Sequence, residues 1–275
     1  MKRNLIPLIT LIALCAVSCK TKDSGPKEKA AQFSNELTAE EKAGGLMTPE
    51  IMWKFGRLGS IVLSPDGSAV LYTVTEIDLI TEVRRTNIFR VSIDGGEPVR
   101  LTNEGGSSPQ WFDGGNSIAF INNDGNLSVT DPQGSVITVI EGLENFEAFS
   151  ISPAGGKIYF TRRVKLDQTA NEKHDLPNAR VRIIDDLMYR HWDSWSDYSY
   201  SHIFVADFNG KKVSGEKDIM EAQKFESPLS PYFDEGEISW SPDGKYIAYT
   251  TKRLSGRDYA RSTNLSLIHI SEPTR

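Results

Sequence analysis

The sequence has almost no cysteine. Cys15 and Cys19 are the two present, both among the first nineteen residues, so packing, not a disulfide framework, must hold whatever folds beyond them. Long apolar runs are equally scarce. The run at residues 5–17 is broken by Pro7 and Thr10 and is too short for a membrane span. There is no basic tract and the net charge is −6, which argues against a nucleic-acid partner. His174, His191 and His202 lack metal-ligand spacing, and the acidic turns lack the alternating carboxylates of a calcium loop. Neither a metal nor another cofactor is expected. What is present is ordinary for a soluble globular chain: 39% hydrophobic and 25% charged residues, enough apolar content to exclude global disorder.

The N-terminus reads as an export signal. Lys2 and Arg3 precede the short apolar run, and Ala16-Val17-Ser18 supplies small residues before Cys19, the order of a signal peptide over residues 1–18. The stretch resembles a bacterial lipobox with Cys19 as the lipid acceptor; cleavage after Ser18 without lipidation also fits. Residues 19–46 are polar and rich in Lys, Glu, Ala and Ser, a composition expected of a flexible tether. A short helix should follow, with Thr48 as N-cap, Pro49 at its first position and Glu50 in its first turn. Ile51, Met52 and Phe55 would share its apolar face.

From Gly59 the text becomes a repeat of turns and strands. Ser64-Pro65-Asp66-Gly67 precedes a β-rich run from Ala69 to Val74, because proline presets φ and glycine supplies positive φ. The phrase returns as Trp111-Phe112-Asp113-Gly114-Gly115, as Ser152-Pro153-Ala154-Gly155-Gly156 and as Ser241-Pro242-Asp243-Gly244, each before a new strand. A second phrase, Asn87-Ile88-Phe89-Arg90-Val91-Ser92, lies between, with weaker copies at residues 126–130 and 202–210. Asp66 to Asp113 is 47 residues and Asp113 to Ala154 is 41, the blade length of a β-propeller. The next interval, 89 residues to Asp243, calls for an insertion at about residues 163–200. Arg84-Arg85 reads as a solvated connection. The fold class is therefore all-β: a partial β-propeller of about three and a half blades at residues 47–264. Residues 265–275, Leu-Ser-Leu-Ile-His-Ile-Ser-Glu-Pro-Thr-Arg, follow no repeat phrase and resemble the in-frame translation of a sequencing adapter, so native text is expected to end near Asn264.

Four stretches carry a family resemblance. They are Leu63-Ser64-Pro65-Asp66-Gly67, Asp186-Leu187-Met188-Tyr189-Arg190-His191-Trp192-Asp193-Ser194-Trp195, Lys217-Asp218-Ile219-Met220-Glu221 and Ser239-Trp240-Ser241-Pro242-Asp243-Gly244. Together, and with Ser262-Thr263-Asn264, they resemble the N-terminal propellers of the prolyl oligopeptidase family of serine peptidases, over residues 47–264. The turn phrases occur in many periplasmic propellers; the Met-Tyr-Arg-His-Trp-Asp-x-Trp stretch is more specific. The resemblance implies an α/β-hydrolase domain beyond the propeller, with a serine on a G-x-S-x-G elbow and histidine and aspartate partners. No such elbow is written here: Gly105-Gly106-Ser107-Ser108-Pro109 and Gly115-Asn116-Ser117-Ile118-Ala119 lack the closing glycine. No catalytic residue is therefore expected in these 275 residues.

The insertion concentrates the candidate binding residues. A peptide amine needs a carboxylate, which Asp193 or Asp197 could supply, and an aromatic wall, which Trp192 or Trp195 could supply, with Arg190 beside them. The favoured reading of these aromatics is nevertheless packing of the loop against its own blade, since large rings most often supply contact area. The resemblance implies an exported exopeptidase, periplasmic or anchored to the outer membrane of a Gram-negative bacterium. Its propeller would gate access for peptide substrates. A non-enzymatic TolB-like binding propeller, and a carbohydrate-active or sensor propeller, remain the alternatives.

Overall fold

The computed structural model describes residues 35–253 and 267–271, apart from 176–177, 180–181, 185–186, 188, 192, 231 and 234. The export signal, Cys19, Trp192 and Asn264 lie outside these residues.

Two short helices come first. Helix α1 (Ala39–Gly44) starts at a reciprocal cap, in which Thr38 Oγ1 accepts from the Glu41 amide and Glu41 accepts from the Thr38 amide. The expected tether is thus helical at this end, and Glu41 goes on to pair with Lys54 at 2.8 Å. Helix α2 (Pro49–Lys54) starts as the sequence dictates, with Thr48 accepting from Ile51 N and proline at the first position. Its expected apolar face does not form as a unit. Ile51 is buried, but Met52 is exposed and Phe55 already has extended backbone as the C-cap.

Among the described residues, four antiparallel sheets of three or four strands follow in chain order, with a two-stranded hairpin inserted in the third. The first comprises β1 (Arg57–Leu63), β2 (Ala69–Ile77), β3 (Arg84–Ser92) and β4 (Val99–Arg100). Arg84 and Arg85 therefore belong to a strand, opposite Ile77 and Glu76, and not to a connection. The second sheet comprises β5 (Gly106–Phe112), β6 (Ser117–Asn122), β7 (Leu127–Thr130) and β8 (Ile137–Val139). The third begins with β9 (Phe149–Ile151) and β10 (Lys157–Lys165). After an inserted segment holding α3 (Ala170–Lys173), β11 (Arg190–His191) and β12 (Ser194–Trp195), it resumes with β13 (Ser199–Phe208) and β14 (Val213–Asp218). Strand pairing narrows the insertion to residues 166–198, because Lys165 and Ser199 are already partners. The fourth sheet comprises β15 (Ile238–Trp240), β16 (Ile247–Thr251) and β17 (Leu267–Ser271). Strand β17 falls in the stretch that the repeat does not predict; ladder bonds are made by backbone, so the edge of β16 accepts an extended segment without a repeat phrase.

Two of the four repeat turns share one chemistry. Ser64 Oγ donates to Asp66 Oδ1 at 2.6 Å and accepts from Ala69 N, while Gly67, at φ 73°, sends its amide to Ser64 O. The Ser64 hydroxyl, then the Ser68 amide and hydroxyl, hold the Asp66 carboxyl down at about 2. Ser241-Pro242-Asp243-Gly244 repeats this geometry, with Ser241 Oγ to Asp243 Oδ1 at 2.6 Å. Both carboxylates are occupied in closing turns.

Period-two alternation lets a middle sheet bury both faces. On β10, Ile158 and Phe160 join one core with Ala119, Leu127 and Phe149, while Tyr159 joins another with Ile238, Ile247 and Tyr249. On β6, Ile118 and Phe120 face Leu71 and Ile88 of the first sheet, while Ala119 faces the third. Successive sheets thus stack face to face through shared cores, which is the packing of propeller blades. The chain folds as a partial β-propeller, and no closed sheet forms among the described residues.

Candidate functional site

The insertion leaves the third sheet between β10 and β13. At its base, Arg163 donates to Asp197 Oδ1 at 3.2 Å and to Ser199 O at 2.8 Å, closing the loop where it re-enters the sheet. Partial burial works to raise the Asp197 carboxyl. The Ser199 amide and the Arg163 charge outweigh it, and the group lies below its ordinary range. Asp197, one of the two carboxylates suggested for a peptide amine, is therefore already paired.

Further out, Trp195 gathers the insertion's aromatic and cationic side chains. Tyr189 stacks on it with centroids 6.0 Å apart, and the guanidiniums of Arg182 and Arg190 lie 4.3 and 5.0 Å from its ring centre. Register explains the last contact, since Arg190 and Trp195 are directly opposed on β11 and β12. Trp195 keeps 39% of its surface exposed, so an apolar face remains available beside two cations. Asp193 is exposed and accepts from Ser194 Oγ at 3.2 Å. The structure therefore brings Arg190 and Trp195 together, and places Asp197 at the loop base with Arg163.

A second group near that base escaped the sequence reading. Glu226 accepts from Ser230 N at 3.3 Å, and Glu147 accepts from Ser201 Oγ at 3.3 Å. Burial pushes the Glu226 carboxyl up, and the nearby Glu147 charge adds to this against Ser230 and Arg163. An acid raised on folding favours the protonated native form. Its ionisation costs stability as pH rises through the raised value, and the cost is relieved below it. Glu226→Gln is thus expected to melt higher than the unsubstituted chain at about pH 8, with the difference shrinking toward about pH 4. A melting series across that range checks it, and a constant difference would contradict the assignment. The only sequence signal was an isolated Glu in a polar stretch, which has no pattern to read.

Two further features lie apart from the insertion. A polar cleft of about 280 Å³ between the first two sheets is lined by Arg84, Thr86, Ser107, Asn122 and Asn123. His202, fully buried on β13, meets Asp218 Oδ2 at 2.7 Å and Gln223 O at 2.8 Å. Among the described residues no three His, Cys, Asp or Glu side chains are grouped to hold a metal.

No family model matches the chain. Individual proteins do. A dipeptidyl-peptidase 5 from Porphyromonas endodontalis is 30% identical over 287 aligned residues, covering all of this chain and 39% of that protein. The chain is a relative of dipeptidyl-peptidase 5. The Porphyromonas gingivalis protein of the same name is 33% identical over 234 residues, covering 82% of this chain and 34% of its own length. The chain thus spans little more than a third of these relatives. Among solved structures, the Pyrococcus horikoshii acylaminoacyl peptidase superposes with a TM-score of 0.57 at 14% identity, over 82% of this chain and 32% of that one. That likeness is one of fold. The resemblance first carried by the blade turns and by residues 186–195 is met in sequence by these two proteins named dipeptidyl-peptidase 5.

Proposed function

We propose that this chain is the propeller portion of a serine exopeptidase that removes dipeptides from the N-termini of peptides. The observation that carries the reading is the 30% identity to a dipeptidyl-peptidase 5 along the whole chain. Hydrolysis is assigned to sequence outside the matched third, because these residues contain no G-x-S-x-G elbow to present a serine. The propeller acts as a filter that admits short or unfolded peptides. The inserted hairpin of Arg190 and Trp195, together with Trp192 and Asp193, contacts the substrate near its N-terminus, while Asp197 holds the base of the loop through Arg163. Residues 1–18 export the protein, and Cys19 carries a lipid that holds it at the periplasmic side of a membrane.

The test compares the 275-residue chain with the complete gene product on dipeptidyl chromogenic substrates. The complete product is expected to turn over and to lose activity to a serine-directed phosphonate, while the chain alone stays at the buffer rate. Turnover by the chain alone, or an inert complete product, would overturn the proposal.

A further inference from the structure

Gly106 and Ser107, from the string that lacks the closing glycine of a nucleophile elbow, form one wall of the polar cleft between the first two sheets. Both glycines of that string are needed where they stand. Gly105 sits at φ 112°, and a Cβ there would lie 3.0 Å from Asn123 Cβ. A Cβ on Gly106 would lie 2.9 Å from Ile88 Cδ1. The backbone therefore runs close over the core and leaves Asn123 room beside it. Arg84 and Thr86 at the start of β3, with Asn122 and Asn123 where β6 ends, line the rest of the cleft.

What these side chains have left over is mostly donor. Thr86 is engaged with Thr75, hydroxyl to hydroxyl at 2.8 Å. Asn122 Oδ1 accepts from the amides of Asp124 and Asn126, both at 3.0 Å, so Nδ2 is its uncommitted end. The side chains of Arg84, Ser107 and Asn123 make no hydrogen bond or ion pair among the described residues. Next to Thr86, Asn87 is fully buried and accepts at Oδ1 from Thr102 Oγ1 and Gly105 N, both at 3.2 Å. Its Nδ2 has no partner among the described residues. No carboxylate lines the cleft, although the chain carries a net charge of −6.

One guanidinium among neutral donors, with no acid in the lining, matches a single negative charge. A carboxylate is planar, accepts both arms of an arginine fork and keeps lone pairs for amide and hydroxyl donors. A phosphate group carries close to two charges, more than one arginine balances. Size narrows the choice further. About 280 Å³ lies just below the range of pockets for drug-sized ligands, which suits a small organic acid or the end of a peptide and excludes a nucleotide or an oligosaccharide.

We propose that this cleft binds a carboxylate group, with Arg84 as its charged partner and Ser107, Asn122 and Asn123 as neutral donors. The cleft is separate from the inserted hairpin, and the inference does not rest on the peptidase reading.

The test measures binding by titration calorimetry to the complete gene product, treated beforehand with a serine-directed phosphonate so that no probe is turned over. The probes are N-acetyl-trialanine as the free acid, the same peptide as its C-terminal amide, sodium acetate and inorganic phosphate, at one ionic strength. The free acid is expected to bind at least about tenfold more tightly than the amide, the lower end of what a hydrogen bond to a charged group contributes. Arg84→Gln should abolish that preference. Asn123→Asp should abolish it too, by setting a second carboxylate against the bound one. Both positions are exposed, so circular dichroism should show both variants folded. A peptide acid that binds more tightly than acetate identifies a chain terminus as the ligand, and equal binding identifies a small organic acid; the carboxylate site stands in either case. Equal or no binding of acid and amide would overturn the proposal. So would a preference for phosphate, or an acid preference that survives Arg84→Gln.

Discussion

Phe160→Ala is expected to cost about 3–5 kcal/mol, the range for deleting a large buried ring. Phe160 is fully buried at the centre of the third sheet, stacked on Phe204 with centroids 5.4 Å apart and planes 7° from parallel. The Arg162 guanidinium lies 5.0 Å from both rings and is held in place by Glu216. Alanine would remove the ring from a core that joins the second sheet to the third. The stacked ring and the cation would lose their partner with it. Because domains are stable by only about 5–15 kcal/mol, that loss is a large share of the whole. Urea unfolding followed by circular dichroism checks it, with Val136→Ala, at a position 66% exposed, as the comparison. A change below about 1 kcal/mol for Phe160→Ala would mean that the two sheets do not share this core.

The fold was largely legible because its information is local. A Ser-Pro-Asp-Gly turn writes its own hydrogen bonds within six residues, as Ser64 to Ala69 shows, and the β-rich run that follows it forms β2. The cap of α2 was legible for the same reason. What failed to read was local signal overruled by composition, or signal carried between distant residues. The Thr38–Glu41 capping box was present in the text, but the polar run around it suggested a tether. Arg84 and Arg85 looked like a solvated loop, yet cross-strand pairing with β2 extends β3 through them. At the candidate site, the aromatic density of the insertion was plain. The pairing of Arg163 with Asp197 was not, because it spans 34 residues and depends on where the loop re-enters the sheet. The joints between sheets were equally silent: Gln110 is an unremarked polar residue until β9 is placed beside it.

Asp218→Ala is expected to cost about 3 kcal/mol, because it strips the partner from a buried polar group. His202 has no exposed surface, and both ring nitrogens face acceptors, Asp218 Oδ2 at 2.7 Å and Gln223 O at 2.8 Å. Asp218 also takes the Met220 amide at 2.7 Å through its other oxygen. One carboxylate therefore joins β13, the end of β14 and the turn that follows, and alanine would break both bonds at once. A buried nitrogen without a partner costs more than the net worth of the bond it lost. It follows that replacing the histidine as well should recover part of the loss. His202→Phe in the Asp218→Ala background is expected to be more stable than the sum of the single changes by about 1–2 kcal/mol. Urea midpoints of the two single variants and the double variant measure this coupling, and hydrogen exchange at the Met220 and Gln223 amides locates it. Strict additivity would show that His202 and Asp218 do not act as a pair, and that the turn after β14 is held by its backbone alone.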